Sequence, residues 1–123
     1  MGAGMAGLTI AKNLASQGFS VDVFDKGRGV GGRTSSRRSD WGYFDHGCQY
    51  FSVTDTLFHN FLREYSQIIS PWQGKFYLWA DGKFSQNDDD KIKYIPHYSM
   101  SNLCKEIAKN LRINLSTRIT DLT

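Results

Sequence analysis

The first 33 residues constrain the fold most, because they place three glycines in the spacing Gly-x-Gly-x-x-Gly. These are Gly2, Gly4 and Gly7. An apolar pattern at helical spacing follows, and then the alternating run 19–24, which ends at Asp25. This order predicts a glycine turn that opens a helix, a strand after the helix, and an acid at the end of that strand.

Each part of this order suits a dinucleotide. Gly4 has no Cβ, so a diphosphate can approach the backbone, and Gly7 lets the helix pack closely on the sheet. The free N–H groups of the first helical turn, which includes Met5 and Ala6, attract phosphate together with the helix dipole. Asp25 can accept hydrogen bonds from ribose hydroxyls, and it would repel a 2′-phosphate, which disfavours NADP. We therefore predict an α/β, Rossmann-like FAD/NAD(P)-binding fold with a parallel sheet.

A second glycine-rich loop follows at once and is basic. It contains Lys26, Arg28 and Arg33 around the pair Gly31 and Gly32. A plain NAD dehydrogenase does not need this loop, whereas the longer dinucleotide FAD needs its diphosphate held from a second side. The net charge of +3 could also suit nucleic acid. The glycines of the loop favour cofactor phosphate, so we expect no nucleic-acid partner.

The passages GAGMAG and VFDKGRGVGGRTSSRR resemble the flavin-binding N-terminus of the amine-oxidase superfamily. Within that superfamily, FDHGCQYF at 44–51 is similar to the FDHGAQYF segment of renalase-like FAD-dependent oxidoreductases. The resemblance covers most of 2–51 and continues more weakly to the end of the chain.

The resemblance implies FAD as the cofactor and hydride transfer from an amine or a dihydronicotinamide, NAD(P)H. It implies that Gly47, Gln49, Tyr50 and Phe51 lie near the isoalloxazine ring and that Ile119 lies beside the adenine. No residue is assigned as a catalytic acid or base. Two alternatives stay open, an NAD-binding dehydrogenase domain and a truncated remnant without cofactor.

Asp45 and His46 are a tempting acid–base pair, but they are adjacent on a predicted strand. Neighbouring strand residues point to opposite faces, so the two side chains are poorly placed to act together. We expect a structural hydrogen bond for this aspartate instead.

The remaining chain predicts helices, a hairpin and a last strand. A helix capped by Thr54 should run as far as Ile69, and a second helix should be capped by Ser99 or Ser101. Asp81 and Gly82 form a strong hairpin turn signal, and the last strand should extend to Ile119. We assign 1–123 to one FAD-binding domain, with 70–95 as a hairpin insertion that begins the substrate region.

Length and composition limit the number of domains, the compartment and the partners. A chain of 123 residues with 40% hydrophobic residues and a mean hydropathy of −0.45 fits one domain with a modest core. No transmembrane run, signal peptide or metal-ligand spacing is visible, so we predict a cytoplasmic protein with a small-molecule substrate and no membrane partner. Cys48 and Cys104 lack CxxC spacing and are expected to be free thiols.

The position of the first glycine predicts an incomplete sheet. In a doubly wound sheet a central strand precedes this turn, and here the turn begins at Gly2. We therefore expect a fragment whose strand at Val23 and strand near Ile119 would flank the missing first strand. Alone, such a fragment should be inactive, should express poorly or aggregate, and should bind FAD weakly or not at all.

Overall fold

The computed structural model describes residues 2–87 and 89–121, which form three α-helices and nine strands. The helices are α1 (Met5–Ser16), α2 (Thr56–Arg63) and α3 (Ser101–Ile107). The strands are β1 (Asp22–Phe24), β2 (Ser36–Ser39), β3 (Gly42–Asp45), β4 (Phe51–Ser52), β5 (Ile69–Pro71), β6 (Tyr77–Ala80), β7 (Lys83–Gln86), β8 (Lys93–Pro96) and β9 (Arg112–Asn114).

The α/β prediction is confirmed by a parallel pair, β1 and β9, with α1 packed against β1. Val23 lies opposite Ile113 in this pair. The two strands are direct hydrogen-bonded neighbours, so the expectation that they flank a third strand was wrong. The last strand also ends at Asn114, and Ile119 lies in the irregular segment after it. The chain turns at Ser116, whose φ of 54° is incompatible with an extended strand.

Helix α1 begins directly after Gly4 of the glycine turn, as predicted. It ends where Gly18 adopts a φ of 88°, and the N–H of Phe19 bonds the carbonyl of Leu14 at 3.1 Å. Leu8 and Ala11 are fully buried, but Ile10 is 45% exposed. The predicted apolar stripe is therefore narrower in the structure, because α1 buries only the face that contacts α3 and β1.

The ends of the other helices differ from the predictions. Asp55, and not Thr54, caps α2 by accepting a hydrogen bond from the N–H of Phe58 at 2.8 Å. Helix α2 ends at Arg63, and tight turns then lead the chain into β5. Helix α3 has Met100 as its N-cap and no side-chain cap.

The predicted caps of α3 have another contact. The hydroxyls of Ser99 and Ser101 lie 3.0 Å apart and bond each other instead of capping the helix.

The antiparallel part contains the hairpin β2–β3, the three-stranded sheet β4–β8–β5 and the hairpin β6–β7. The predicted turn of the last hairpin is confirmed, since Asp81 and Gly82 have φ of 50° and 72°. All residues of β6 and β7 are exposed, so this hairpin lies outside the core.

One hydrophobic core joins α1, β1, α2 and α3. Its largest fully buried side chains are Leu8, Leu103, Ile107 and Val23. Among the described helices, none has the length and apolar character that crossing a membrane requires.

Candidate functional site

The two glycine-rich loops lie against each other. The N–H of Gly31 donates to the carbonyl of Ala3 at 2.8 Å, and Gly4 forms an isolated parallel bridge with Gly31. Gly32 has a φ of 55°, and a Cβ there would lie 3.3 Å from the Cα of Gly4. Glycine is therefore needed at this crossing both for its backbone conformation and for the close approach.

Asp25 ties both loops to the end of β1. One carboxylate oxygen accepts from the N–H of Ala3 at 2.6 Å, and the other accepts from the N–H of Gly27 at 2.7 Å. A Cβ on Gly2 would lie 3.1 Å from this carboxylate. Because a carboxylate offers about four acceptor positions, the oxygens of Asp25 can still accept from ribose hydroxyls.

Three adjoining cavities run along these loops and share lining residues. The first cavity, of 330 Å³, shares Asp25 with the middle cavity, of 380 Å³. The middle cavity shares Gly32, Ser35 and His46 with the end cavity, of 620 Å³. We call this row of cavities the groove.

Eight of the sixteen predicted site residues line the groove, and one of them, Gly32, lines both the middle and the end cavity. Gly2, Asp25, Lys26 and Ile119 line the first cavity, together with Phe24, Thr117 and Arg118. Arg28 lines the middle cavity with Gly27, Gly29, Val30, Ser36, Ser101 and Lys105. Arg33 and Gly47 line the end cavity with Cys48.

The groove is rich in cations for which no ion pair is found among the described residues. Five basic side chains line it, namely Lys26, Arg28, Arg33, Lys105 and Arg118. The ion pairs among the described residues involve other basic side chains, those of Lys12, Lys93, Lys109 and Arg112. This excess of positive charge suits an anionic ligand such as a diphosphate.

The start of α1 adds to this anion-binding character. Gly4 is its N-cap and makes no side-chain hydrogen bond to the helix, and the first turn contains no acid. Met5, Ala6 and Gly7 form that first turn, so their N–H groups are the donors that a helix leaves without internal partners. Met5, Ala6 and Gly7 do not line the three cavities. Gly4, however, contacts Gly31 and Gly32 of the basic loop, and Gly32 lines the groove.

Gly47 packs against the protein itself. A Cβ at this position would lie 2.3 Å from the carbonyl oxygen of Arg33, which also accepts from the N–H of Cys48. A side chain there would displace the backbone of the basic loop. The structure therefore explains this glycine by the contact between two segments that line the end cavity.

The structure does not bring Gln49, Tyr50 and Phe51 into the groove. Gln49 lines a separate cavity of 450 Å³ with Asp45 and Trp72. Tyr50 packs on Trp72 and Phe76, with ring centroids 5.9 Å apart in both pairs. The ring of Phe51 stacks on Tyr94 in the three-stranded sheet and contacts the core. Their placement near a flavin ring stays a prediction.

Asp45 makes structural hydrogen bonds, as expected. One carboxylate oxygen accepts from the hydroxyl of Ser36 at 2.5 Å and from the N–H of Met100 at 3.0 Å. The hydroxyl oxygen of Ser36 in turn accepts from the N–H of Ser101 at 3.2 Å. We call these three bonds the latch, because they join the β2–β3 hairpin to the start of α3.

Several groove residues were missed from the sequence. His46 lines two of the cavities, and Ser35, Lys105, Thr117 and Arg118 also face the groove. Arg118 adjoins the predicted Ile119, a signal that sequence inspection could have used. Nothing in the sequence marks Lys105, because only the fold brings α3 to the glycine loops.

The Cys104 thiol does not line the groove. Burial raises the pKa of the Cys104 thiol, although a contact with the hydroxyl of Thr34 opposes this effect. The thiol therefore stays protonated and is a poor nucleophile at neutral pH. The described residues contain no cluster of three His, Cys, Asp or Glu side chains that could hold a metal ion.

Fold and groove together define a nucleotide-cofactor-binding α/β domain. The chain belongs to the NAD(P)-binding Rossmann-like domain family, which it matches over residues 1–65, more than half of its length.

Among curated proteins, the chain is 45% identical over 47 residues to 4,4′-diapophytoene desaturase (4,4′-diaponeurosporene-forming) of Staphylococcus aureus strain Newman, and equally to that of strain MRSA252. The matched region is 38% of this chain, and the chain spans 9% of the length of these relatives. The family and these relatives together support an FAD/NAD(P)-binding domain of the oxidoreductase type.

Proposed function

We propose that the chain is the FAD-binding portion of a flavin-dependent oxidoreductase of the amine-oxidase superfamily, of the renalase-like kind. The observation that carries this proposal is the groove, which begins at Asp25, passes two glycine loops lined by basic side chains and continues to the end cavity. An extended dinucleotide has the same sequence of parts, namely ribose hydroxyls, a diphosphate and a second ring system. The desaturase match supports an oxidoreductase role.

The roles proposed for the residues follow the groove. Asp25 accepts from the adenosine ribose and Ile119 contacts the adenine, while the α1 turn and the basic loop hold the diphosphate. Arg33 and Gly47 lie where the flavin portion would begin. When bound, the flavin would supply hydride transfer, and the protein supplies binding and orientation. The proposed hydride donor is an amine or a dihydronicotinamide.

We also propose that 70–95 begins the substrate region. Support comes from the hairpin β6–β7, whose Tyr77, Trp79 and Phe84 are 56%, 58% and 74% exposed. Such a hairpin is marginal by itself in water. The free thiols of Cys48 and Cys104 support a reducing compartment, for which we propose the cytoplasm.

A second candidate, an NAD-binding domain, is favoured by the family match. Titration calorimetry of the chain with FAD, FMN and NAD⁺ separates the candidates. The proposal expects FAD to bind most tightly and FMN to bind least, since FMN has no adenosine for Asp25 to recognise. Tighter binding of NAD⁺ than of FAD would support the second candidate and contradict the first.

A further inference from the structure

We propose that Lys105, on α3, is a binding residue for the diphosphate of the dinucleotide. This inference rests on the proposed function of the groove as a dinucleotide site. It adds a contact from a helix more than 70 residues away from the glycine loops in the chain.

The position of the Lys105 side chain supports this role. Lys105 is exposed, lines the middle cavity with Arg28 and Gly29, and has its ammonium 5.1 Å from the centroid of the Tyr43 ring. Among the described residues, no carboxylate lies within ion-pair distance of this ammonium. The charge is therefore available, and the ring contact holds it beside the cavity.

The latch fixes where α3 presents this charge. Through the bonds of Asp45 and Ser36, the backbone at Met100 and Ser101 is tied to the β2–β3 hairpin. Tyr43 belongs to that hairpin, so the helix and the ring that holds the lysine form one unit. The latch and the ring contact thus favour positions of the Lys105 ammonium beside the middle cavity.

The lining of the middle cavity suits a diphosphate. Arg28 and Lys105 are its cations, and the hydroxyls of Ser35, Ser36 and Ser101 belong to residues that line it. Asp25 also lines this cavity, at the side shared with the first cavity, where the ribose hydroxyls are proposed to lie. A cavity lined by one carboxylate and two cations matches a ligand with hydroxyls followed by phosphates.

The test measures binding of ADP and of FAD by calorimetry to the chain and to three variants, at two salt concentrations. Lys105→Gln removes the charge, Lys105→Arg keeps it, and Lys109→Gln is the matched control. Lys109 lies one turn further on and pairs with Glu106 at 2.5 Å. Thermal melts confirm that each variant folds, which is expected because both lysines are exposed.

We expect Lys105→Gln to weaken ADP and FAD binding about tenfold, with a shallower salt dependence, as for the loss of a hydrogen bond to a charged group. Lys105→Arg should retain most of the affinity, and Lys109→Gln should bind like the parent chain. Equal affinity of the parent chain and Lys105→Gln for ADP overturns this inference and leaves the proposed function intact.

The titrations with ADP also separate this inference on Lys105 from the proposal that FAD is the cofactor. If ADP binding depends on Lys105 while FAD binds no better than NAD⁺, this inference holds and FAD as the cofactor is contradicted. If the folded parent chain binds neither ADP nor FAD, both are overturned.

Discussion

Arg33 contributes to the groove in two ways, through its backbone carbonyl and as a lining residue. Its carbonyl fixes the segment at Gly47, and the residue itself lines the end cavity. Its guanidinium has no ion-pair partner among the described residues. The side chain is therefore free to contact phosphate, which gives it a role that its exposed neighbours on β2 lack.

We predict that Arg33→Ala weakens FAD binding by about 1.5–3 kcal/mol, the range for a hydrogen bond to a charged group. Arg37→Ala is the matched control, because Arg37 is an exposed arginine on β2 that lines none of the three cavities. Calorimetric titration of both variants with FAD checks the distinction. Equal losses would mean that the effect reflects overall charge and not a specific contact.

Lys93 is buried although it is a lysine, with a side chain only 3% exposed. Its ammonium pairs with Asp89 and lies 4.5 Å from the centroid of Phe76 and 5.7 Å from that of Tyr50. This contact anchors the loop that leads from the β6–β7 hairpin back to β8.

We predict that Lys93→Met lowers the free energy of unfolding by about 1–2 kcal/mol, since a desolvated cation–π contact is worth about 2 kcal/mol and the methionine keeps most of the apolar stem. Urea unfolding measures the change. Lys91→Met, at an exposed lysine of the same segment, should change stability by less than about 0.5 kcal/mol.

The pH dependence of the free energy of unfolding gives a second test of the contact between Lys93 and Asp89. Its hydrogen bond lowers the pKa of the Asp89 carboxyl from the usual 3.8. A carboxyl whose pKa is lowered on folding stabilises the fold above its unfolded pKa, and this contribution is lost as the pH falls through the lowered value. Lys93→Met should therefore reduce the loss of stability on acidification below about pH 4. If the loss of stability below about pH 4 is the same in Lys93→Met as in the parent chain, the assignment of the ion pair is contradicted.

At the scale of elements, the latch decides how the β2–β3 hairpin and α3 are joined. We predict that Asp45→Ala destabilises the protein by about 1–3 kcal/mol, because the N–H of Met100 and the hydroxyl of Ser36 lose their acceptor. Asp40→Ala, at the exposed turn of the same hairpin, is the control. Urea unfolding should separate the two variants, and equal stabilities would show that the latch contributes nothing.

Local sequence patterns predicted which helices and strands form better than they predicted the residues at which these elements begin and end. Three elements were predicted from local signals, namely glycines and the alternation of apolar and polar residues. These elements are helix α1, strand β1 and the β6–β7 hairpin. The cap of α2 was misplaced by one residue, from Thr54 to Asp55, because both residue types cap helices well. The strand predicted near Ile119 is not present among the described residues, because the chain turns at Ser116. At this turn the N–H of Ser116 donates to the carbonyl of Gly27, a contact that local sequence does not reveal.

At the scale of the whole molecule, the sequence predicted the family fold and much of the groove, since Gly2, Asp25 and Arg33 lie close together in the chain. It could not predict Lys105 or His46 as groove residues. Their positions depend on how α3 and β3 pack, which is set by contacts such as the latch across more than 50 residues. Equally, the resemblance implied one site for Gly47 and Gln49, but Gly47 lines the end cavity and Gln49 lines a separate one.

The most direct test of the account is amide hydrogen exchange of the chain with and without saturating FAD. We predict slower exchange in three segments that line the groove or adjoin it, at 2–7, 25–35 and 46–48, and little change in the β6–β7 hairpin. The backbone N–H groups there are the proposed donors to the cofactor or lie directly behind it. Protection that is confined to the hairpin, or absent from all three segments while FAD is bound, would contradict the assignment of the groove as the dinucleotide site.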